Sequence, residues 1–274
     1  MQISFQNVKK SNNHLKFKEN SVKKMKNKIK HSHKVYIITG SSSGFGFEIV
    51  KHILKEGSLV IGLSRSKALF RNPLFFQYQM DFKKPFQKKI NLIFKKHNQH
   101  FQNTKEIILI NNAATIHPIH QVGQFEEKEI SEHIQINLVS LIVISNFFIH
   151  KFKNSSQNKL IVQITSGAAQ NAIAGWSLYC ASKSAVNMFN DSLNFELSPE
   201  SMVKTVTYSP GVMDTQMQKN IRSRTKKQFP QVEKFKQMKI DKNLKSPNLV
   251  ALDLLDIISN FKNIKPGDKY RVRI

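Results

Sequence analysis

The 274-residue sequence has one cysteine, Cys180, and one tryptophan, Trp176. A lone thiol excludes an internal disulfide framework and fits a reducing compartment. Acids are scarce: 18 Asp and Glu stand against 43 Lys and Arg, for a formal net charge of +25. Long apolar runs are missing too. The greasiest stretch, Leu138–Ile144, falls far short of the ~20 residues a membrane span needs. No apolar leader opens the chain, and the ten histidines form no HxxxH or HExxH pattern. We therefore expect a soluble, cytoplasmic protein with no bound metal and no membrane partner.

A charge of this size can attract nucleic acid, anionic lipid or a phosphorylated small molecule. The lysines are spread along the whole chain rather than gathered on one helix among aromatics. We read most of them as solvated faces and expect no nucleic-acid partner. Residues 1–33 form a basic segment whose single acid is Glu19. They show neither strand alternation nor a helical stripe, so we expect a mobile tail outside the fold, with Met25 a possible second start. Residues 34–274 are long enough for one large α/β domain.

What is present begins with Lys34–Thr39, a β-branched and aromatic run that reads as a buried strand. Gly40, Ser42, Ser43, Gly44, Phe45 and Gly46 follow at once, and then helical spacing over Phe47–Lys55. A strand, a glycine loop and a helix in that order form a nucleotide-binding pattern. Gly40 permits the turn, Gly44 lets the backbone approach a pyrophosphate, and Gly46 allows close helix–strand packing. The helix N-terminus offers free N–H groups to the phosphates.

At the end of a second strand, Ser58–Leu63, stands Arg65 and no acid. An acid there accepts the ribose 2′-OH of NAD, whereas an arginine suits the 2′-phosphate of NADP. We expect NADP(H), with a solvated loop charge as the other reading of Arg65. Phe75–Met80 reads as a third strand ending at Asp81 and Phe82, and the Asp81 carboxylate can accept from an adenine amino group. After a fourth strand, Glu106–Ile110, the small residues Asn111 to Ala114 leave room for a flat ring and ribose. Asn111 either ties the turn to its neighbours or, with Ala113, touches the cofactor.

Glu126–Phe152 reads as one long helix, apolar on more than one face, with Asn137 among the apolar residues. Asn137 is either a satisfied core amide, or a residue that breaks the regular ladder or holds a water in a proton path behind Lys183. Ser166 ends the apolar run Leu160–Thr165, and Tyr179 and Lys183 lie one turn apart on the helix that follows. An ammonium beside a phenol favours the phenolate and draws its pKa down. A sixth strand ends in Pro210, Gly211, Val212, Met213 and Thr215, near the expected nicotinamide position. Gln216–Lys245 is polar and poorly periodic, and we expect a substrate lid with two short helices (216–245). Pro247–Phe261 reads as the last helix and Lys269–Ile274 as a last strand.

The TGSSSGFG loop, the NNAA turn, Asn137, Ser166, YCASK and PGVMDT occur in one order. Together they resemble the short-chain dehydrogenase/reductase family, in particular its sepiapterin and benzil reductase branch. The resemblance implies a single Rossmann-type, doubly wound α/β domain with a parallel sheet of about seven strands and helices on both faces. It implies NADPH-dependent reduction of a ketone or of one carbonyl of a vicinal dicarbonyl, and a homodimer formed through the two long apolar helices. It casts Tyr179 as proton donor, Lys183 as the group that lowers its pKa and binds the nicotinamide ribose, Ser166 as oxyanion partner and Asn137 as anchor of a water relay. It also implies that the glycine loop, Arg65, Asp81, Asn111 and Thr215 hold the cofactor. Sepiapterin reductases carry an acid in the last strand where this chain has Arg271. A cation cannot accept from a pterin's N–H groups, so an uncharged dicarbonyl or aryl ketone is favoured. Trp176, Met213 and Met217 suit an apolar, aromatic substrate. A second possibility, from another class, is an NADP-binding regulatory or nucleic-acid-associated protein that uses the basic tail.

Overall fold

The computed structural model describes residues 34–274, so the expectations for the basic tail and for Met25 lie outside the described residues. Seven strands form one sheet: β1 Lys34–Thr39, β2 Leu59–Ser64, β3 Phe75–Gln79, β4 Glu106–Asn111, β5 Asn158–Ile164, β6 Val203–Ser209 and β7 Lys269–Arg271. Their order is β3-β2-β1-β4-β5-β6-β7, and every pairing is parallel. Parallel strands need crossovers that cover both faces, which is why the central strands read as continuous apolar runs.

Alternation along the strands divides the core in two. Ile38, Val60, Ile108 and Val162 pack beneath α1 (Gly44–Lys55) and the late helix Pro247–Ser259, through Ile49, Ile53, Leu254 and Ile258. Ile37, Ile61, Leu109 and Ile161 pack on the opposite face against Ile90, Phe94, Ile144 and Phe148. From β1 the chain runs outward to β2 and β3, then returns to place β4 on the other side of β1. That reversal is the topological switch point where open α/β sheets bind ligands.

Between β3 and β4 the chain forms two helices, Gln87–Lys96 and Asn98–Gln102, parted at His97. The His97 imidazole is buried 2.8 Å from the Tyr78 hydroxyl, and burial pushes its pKa down to about 4. The expected helix Glu126–Phe152 is interrupted as well, by a π-helical turn at Gln135–Val139 between Glu127–Ile134 and Ser140–Phe152. Glu127–Phe152 is long and apolar enough to cross a membrane by length and composition. Its Ile144 and Phe148 are wholly buried on the sheet, as in a core helix. The expected Lys269–Ile274 strand pairs only over Lys269–Arg271.

Gly46 stands where α1 passes over the end of β1. A Cβ there would collide with the Gly40 carbonyl oxygen and lie 2.6 Å from Asn112 Nδ2. Gly46→Ala should therefore force loop and helix apart at a cost of about 1–3 kcal/mol, read as a drop in thermal midpoint. An unchanged midpoint would show that the loop tolerates the displacement.

Candidate active site

Where β1 and β4 diverge, the Asn112 amide donates to Thr39 O at 3.0 Å and to Gly40 O at 3.2 Å. The Thr39 hydroxyl accepts from Asn112 N and Ala113 N, both at 2.9 Å. These bonds join the glycine loop to the turn after β4. Gly40 and Gly44 adopt φ of 68° and 54°, a region that costs an L side chain about 1 kcal/mol or more. The N-cap of α1, Ser43, makes no side-chain capping bond, and the first turn holds no acid. Its N–H groups are thus left for an anion. These features fit the pyrophosphate of a dinucleotide.

A cavity of about 880 Å³ opens above this loop. One end is lined by Ser42, Ser43, Phe45, Arg65, Asp81 and Phe82. The Arg65 side chain is exposed and unpaired among the described residues. Asp81 Oδ1 accepts from Lys83 N at 3.1 Å. The middle is lined by Ala113, Ser166, Tyr179, Lys183, Pro210 and Gly211, with Val212, Met213 and Thr215 beyond. Trp176, Met217, Phe235, Met238 and Arg271 line the far end.

Lys183 and Tyr179 lie on one face of the helix Ser177–Glu196, and both are buried. Lys183 Nζ donates to Ile164 O at 2.8 Å and sits 5.8 Å from the Tyr179 ring centre. Burial pulls the lysine down to about 8. Burial pushes the phenol up to about 12, and the Ser166 hydroxyl beside it pulls the other way. The expectation that Lys183 draws the phenol below its ordinary value is therefore corrected. Loss of water from around a buried anion outweighs the cation here, because the ammonium is turned onto a strand carbonyl.

Three sequence-derived residues lie outside the cavity wall. Asn111 Nδ2 donates to Ser145 Oγ (3.0 Å) and Gln163 Oε1 (2.9 Å), so it ties the sheet to the long helix. Gly46 packs against the loop. Asn137 clasps the backbone of Thr115: its Oδ1 accepts from Thr115 N at 2.7 Å and its Nδ2 donates to Thr115 O at 2.8 Å. Both structural readings hold: the buried amide is satisfied, and it lies within the π-turn, where the regular ladder is broken. Thr215 lines the cavity, yet its hydroxyl caps the next helix by accepting from Gln218 N at 3.5 Å.

The segment expected to serve as a lid carries two short α-helices, Gln216–Arg222 and Val232–Ile240. Trp176 stacks on Phe229 from that segment, with ring centres 5.0 Å apart and planes within 4°. Phe235 packs at 5.2 Å from Trp176, and Tyr179 meets the same indole edge-on at 5.7 Å. Asp214 anchors the lid through Lys239 at 2.5 Å. Sequence reasoning missed Asn112, Phe229, Phe235 and Gln218. Period-2 alternation was the available signal for the first. Ile107 and Leu109 face the long helix, so Asn111 follows them, and the amide beyond the strand end serves the loop.

The family model for short chain dehydrogenases matches residues 34–226. The chain is 36% identical over 249 residues to a benzil reductase ((S)-benzoin forming) of Bacillus subtilis (strain 168), covering 87% of this chain and 98% of that protein. It is 26% identical over 212 residues to the sepiapterin reductase of Mus musculus, covering 70% and 79% of the two chains. A short chain dehydrogenase/reductase structure from Saccharomyces cerevisiae superposes with a TM-score of 0.74 at 23% identity, over 88% of this chain and 96% of that one. With a seven-stranded parallel sheet and the family model spanning its first six strands, the chain belongs to the short-chain dehydrogenase/reductase family of oxidoreductases.

Proposed function

We propose that the chain is an NADPH-dependent carbonyl reductase that acts on a ketone or on one carbonyl of a vicinal dicarbonyl of the benzil type. The observation that carries this reading is the meeting of Ser166, Tyr179 and Lys183 midway along one cavity. At one end of that cavity lies a glycine loop with Arg65; at the other lies an aromatic wall. The similarity to a benzil reductase over nearly its whole length supports the substrate class. Arg271 at the far end, where a pterin needs an acceptor, weighs against the sepiapterin-type alternative.

Bound nicotinamide supplies the hydride. The protein supplies the rest. A phenol raised to about 12 is protonated at neutral pH, the form needed to give a proton to the carbonyl oxygen. Ser166 donates to the same oxygen as charge develops on it. Lys183, still largely cationic below its value of about 8, favours the phenolate left behind. Asn137 holds the Thr115 segment that walls the site. Trp176, Phe229 and Phe235 exclude water over the reacting centre. Arg65 holds the 2′-phosphate and Asp81 the adenine. We also propose that the chain pairs with a second copy through its two long helices, where Ile130, Met188 and Phe195 are exposed.

NADPH oxidation followed with benzil, sepiapterin and simple aldehydes tests the reading, with benzil expected to be the best substrate. Tyr179→Phe should abolish turnover and Ser166→Ala should leave roughly 10⁻² to 10⁻³ of it. Full turnover in Tyr179→Phe would overturn the mechanism. Arg65→Ala should weaken NADPH binding more than NADH binding; equal losses would remove Arg65 from cofactor choice.

Lys183 gives a pH test. Its pKa falls from 10.5 to about 8 on folding, so between those values the unfolded chain binds more protons than the folded one. Stability from this group therefore rises with pH across that window and is lowest below about 8. Lys183→Met should flatten that part of the pH–stability curve of the protein without cofactor. The same slope in both proteins would show that Lys183 is not the group responsible.

A further inference from the structure

Three residues lining the cavity carry a buried side-chain polar atom with no hydrogen-bond partner among the described residues: Thr165 Oγ1, Trp176 Nε1 and Gln218 Nε2. All three can donate a hydrogen, and Trp176 and Gln218 Nε2 can only donate. Among the described residues, no carboxylate lines the cavity apart from Asp81, at the glycine-loop end. Buried polar groups in folded proteins are paired, and those left over at a cavity wall mark what the cavity is built to receive. Among the described residues these three donors meet no acceptor, so a ligand that pairs with them brings its own.

Gln218 is the most sharply defined of the three. It is 2% exposed and lies on the lid helix Gln216–Arg222, one turn before Ile221, which packs in the same cluster as Trp176 and Tyr179. Its amide orientation is settled by Arg222, whose Nη1 donates to Gln218 Oε1 at 2.5 Å. A guanidinium only donates, so the oxygen of the amide faces Arg222 and the NH₂ group is the free end.

We propose that Gln218 is a specificity-determining residue that donates a hydrogen bond to the second oxygen of a vicinal dicarbonyl, while Ser166 and Tyr179 serve the carbonyl being reduced. This rests on the carbonyl-reductase reading above and narrows it to substrates with two adjacent oxygens. A substrate with one carbonyl leaves the Gln218 donor buried and unpaired. That penalty is worth about 10- to 100-fold in relative efficiency.

The test compares phenylpropanedione with propiophenone, which differ by the second carbonyl, using kcat/KM with NADPH. A diketone is the more electrophilic substrate in any enzyme, so the informative quantity is the change in the ratio on mutation. Gln218→Glu keeps an acceptor for Arg222 and the side-chain volume, but replaces the donor with a second acceptor. The diketone-to-monoketone ratio should fall about 10-fold or more. Arg222→Lys alters the same helix but keeps a cationic donor for Gln218 Oε1, and with it the orientation of the amide, so its ratio should stay near that of the wild type. An unchanged ratio in Gln218→Glu, or an equal fall in both variants, overturns the assignment while leaving the carbonyl-reductase reading in place. Failure of the wild-type protein to reduce either ketone or benzil overturns that reading itself, and the assignment with it.

Discussion

The amide of Asn112 bridging Thr39 O and Gly40 O is the contact on which the rest of the site depends. Parallel strands that part at a switch point leave carbonyls without ladder partners. An unpaired buried carbonyl costs about 1–3 kcal/mol. One side chain from the neighbouring strand meets two of them, and in doing so sets the path of the glycine loop. That path brings Gly46 against Gly40, aims the first turn of α1 at the cavity, and makes room for a phosphate-sized anion.

The proposed proton machinery rests on burial more than on pairing. Tyr179 and Lys183 are both withdrawn from water, and each is pushed toward its neutral form. A buried cation and a buried phenol adjacent on one helix are costly apart and useful together, because charge transferred onto the phenol oxygen finds a cation a short distance away. The π-turn at Gln135–Val139 is part of the same arrangement. It turns Asn137 out of its helix to hold Thr115, and the Thr115 segment forms the wall facing Tyr179.

Much of this was legible in the residues. β1 begins and ends where its β-branched run does, and the glycine spacing, Ser166 and the Tyr179–Lys183 pair lie along one cavity, as their order implied. The two short helices within residues 216–245 were also readable, because a long polar stretch between a Pro-Gly turn and a Pro-initiated helix is too long for a plain loop in a compact domain. Elsewhere tertiary contacts decided. The break at His97 has no glycine or proline behind it; it comes from an imidazole buried under Tyr78. The division of labour between Asn111 and Asn112 turns on which face of β4 each occupies. The elevation of the Tyr179 phenol comes from burial in a cluster that includes Phe229 and Phe235, about 50 residues further along the chain. Local patterns say nothing about such distant partners.

The stack of Trp176 on Phe229 has one more consequence. Since the chain has a single indole, its ultraviolet emission comes from one place: the seam between the reactive helix and the segment that covers it. Any opening of that seam changes the quenching and polarity around one fluorophore, without interference from others. The protein thus carries an optical gauge of its own cover, readable without a label.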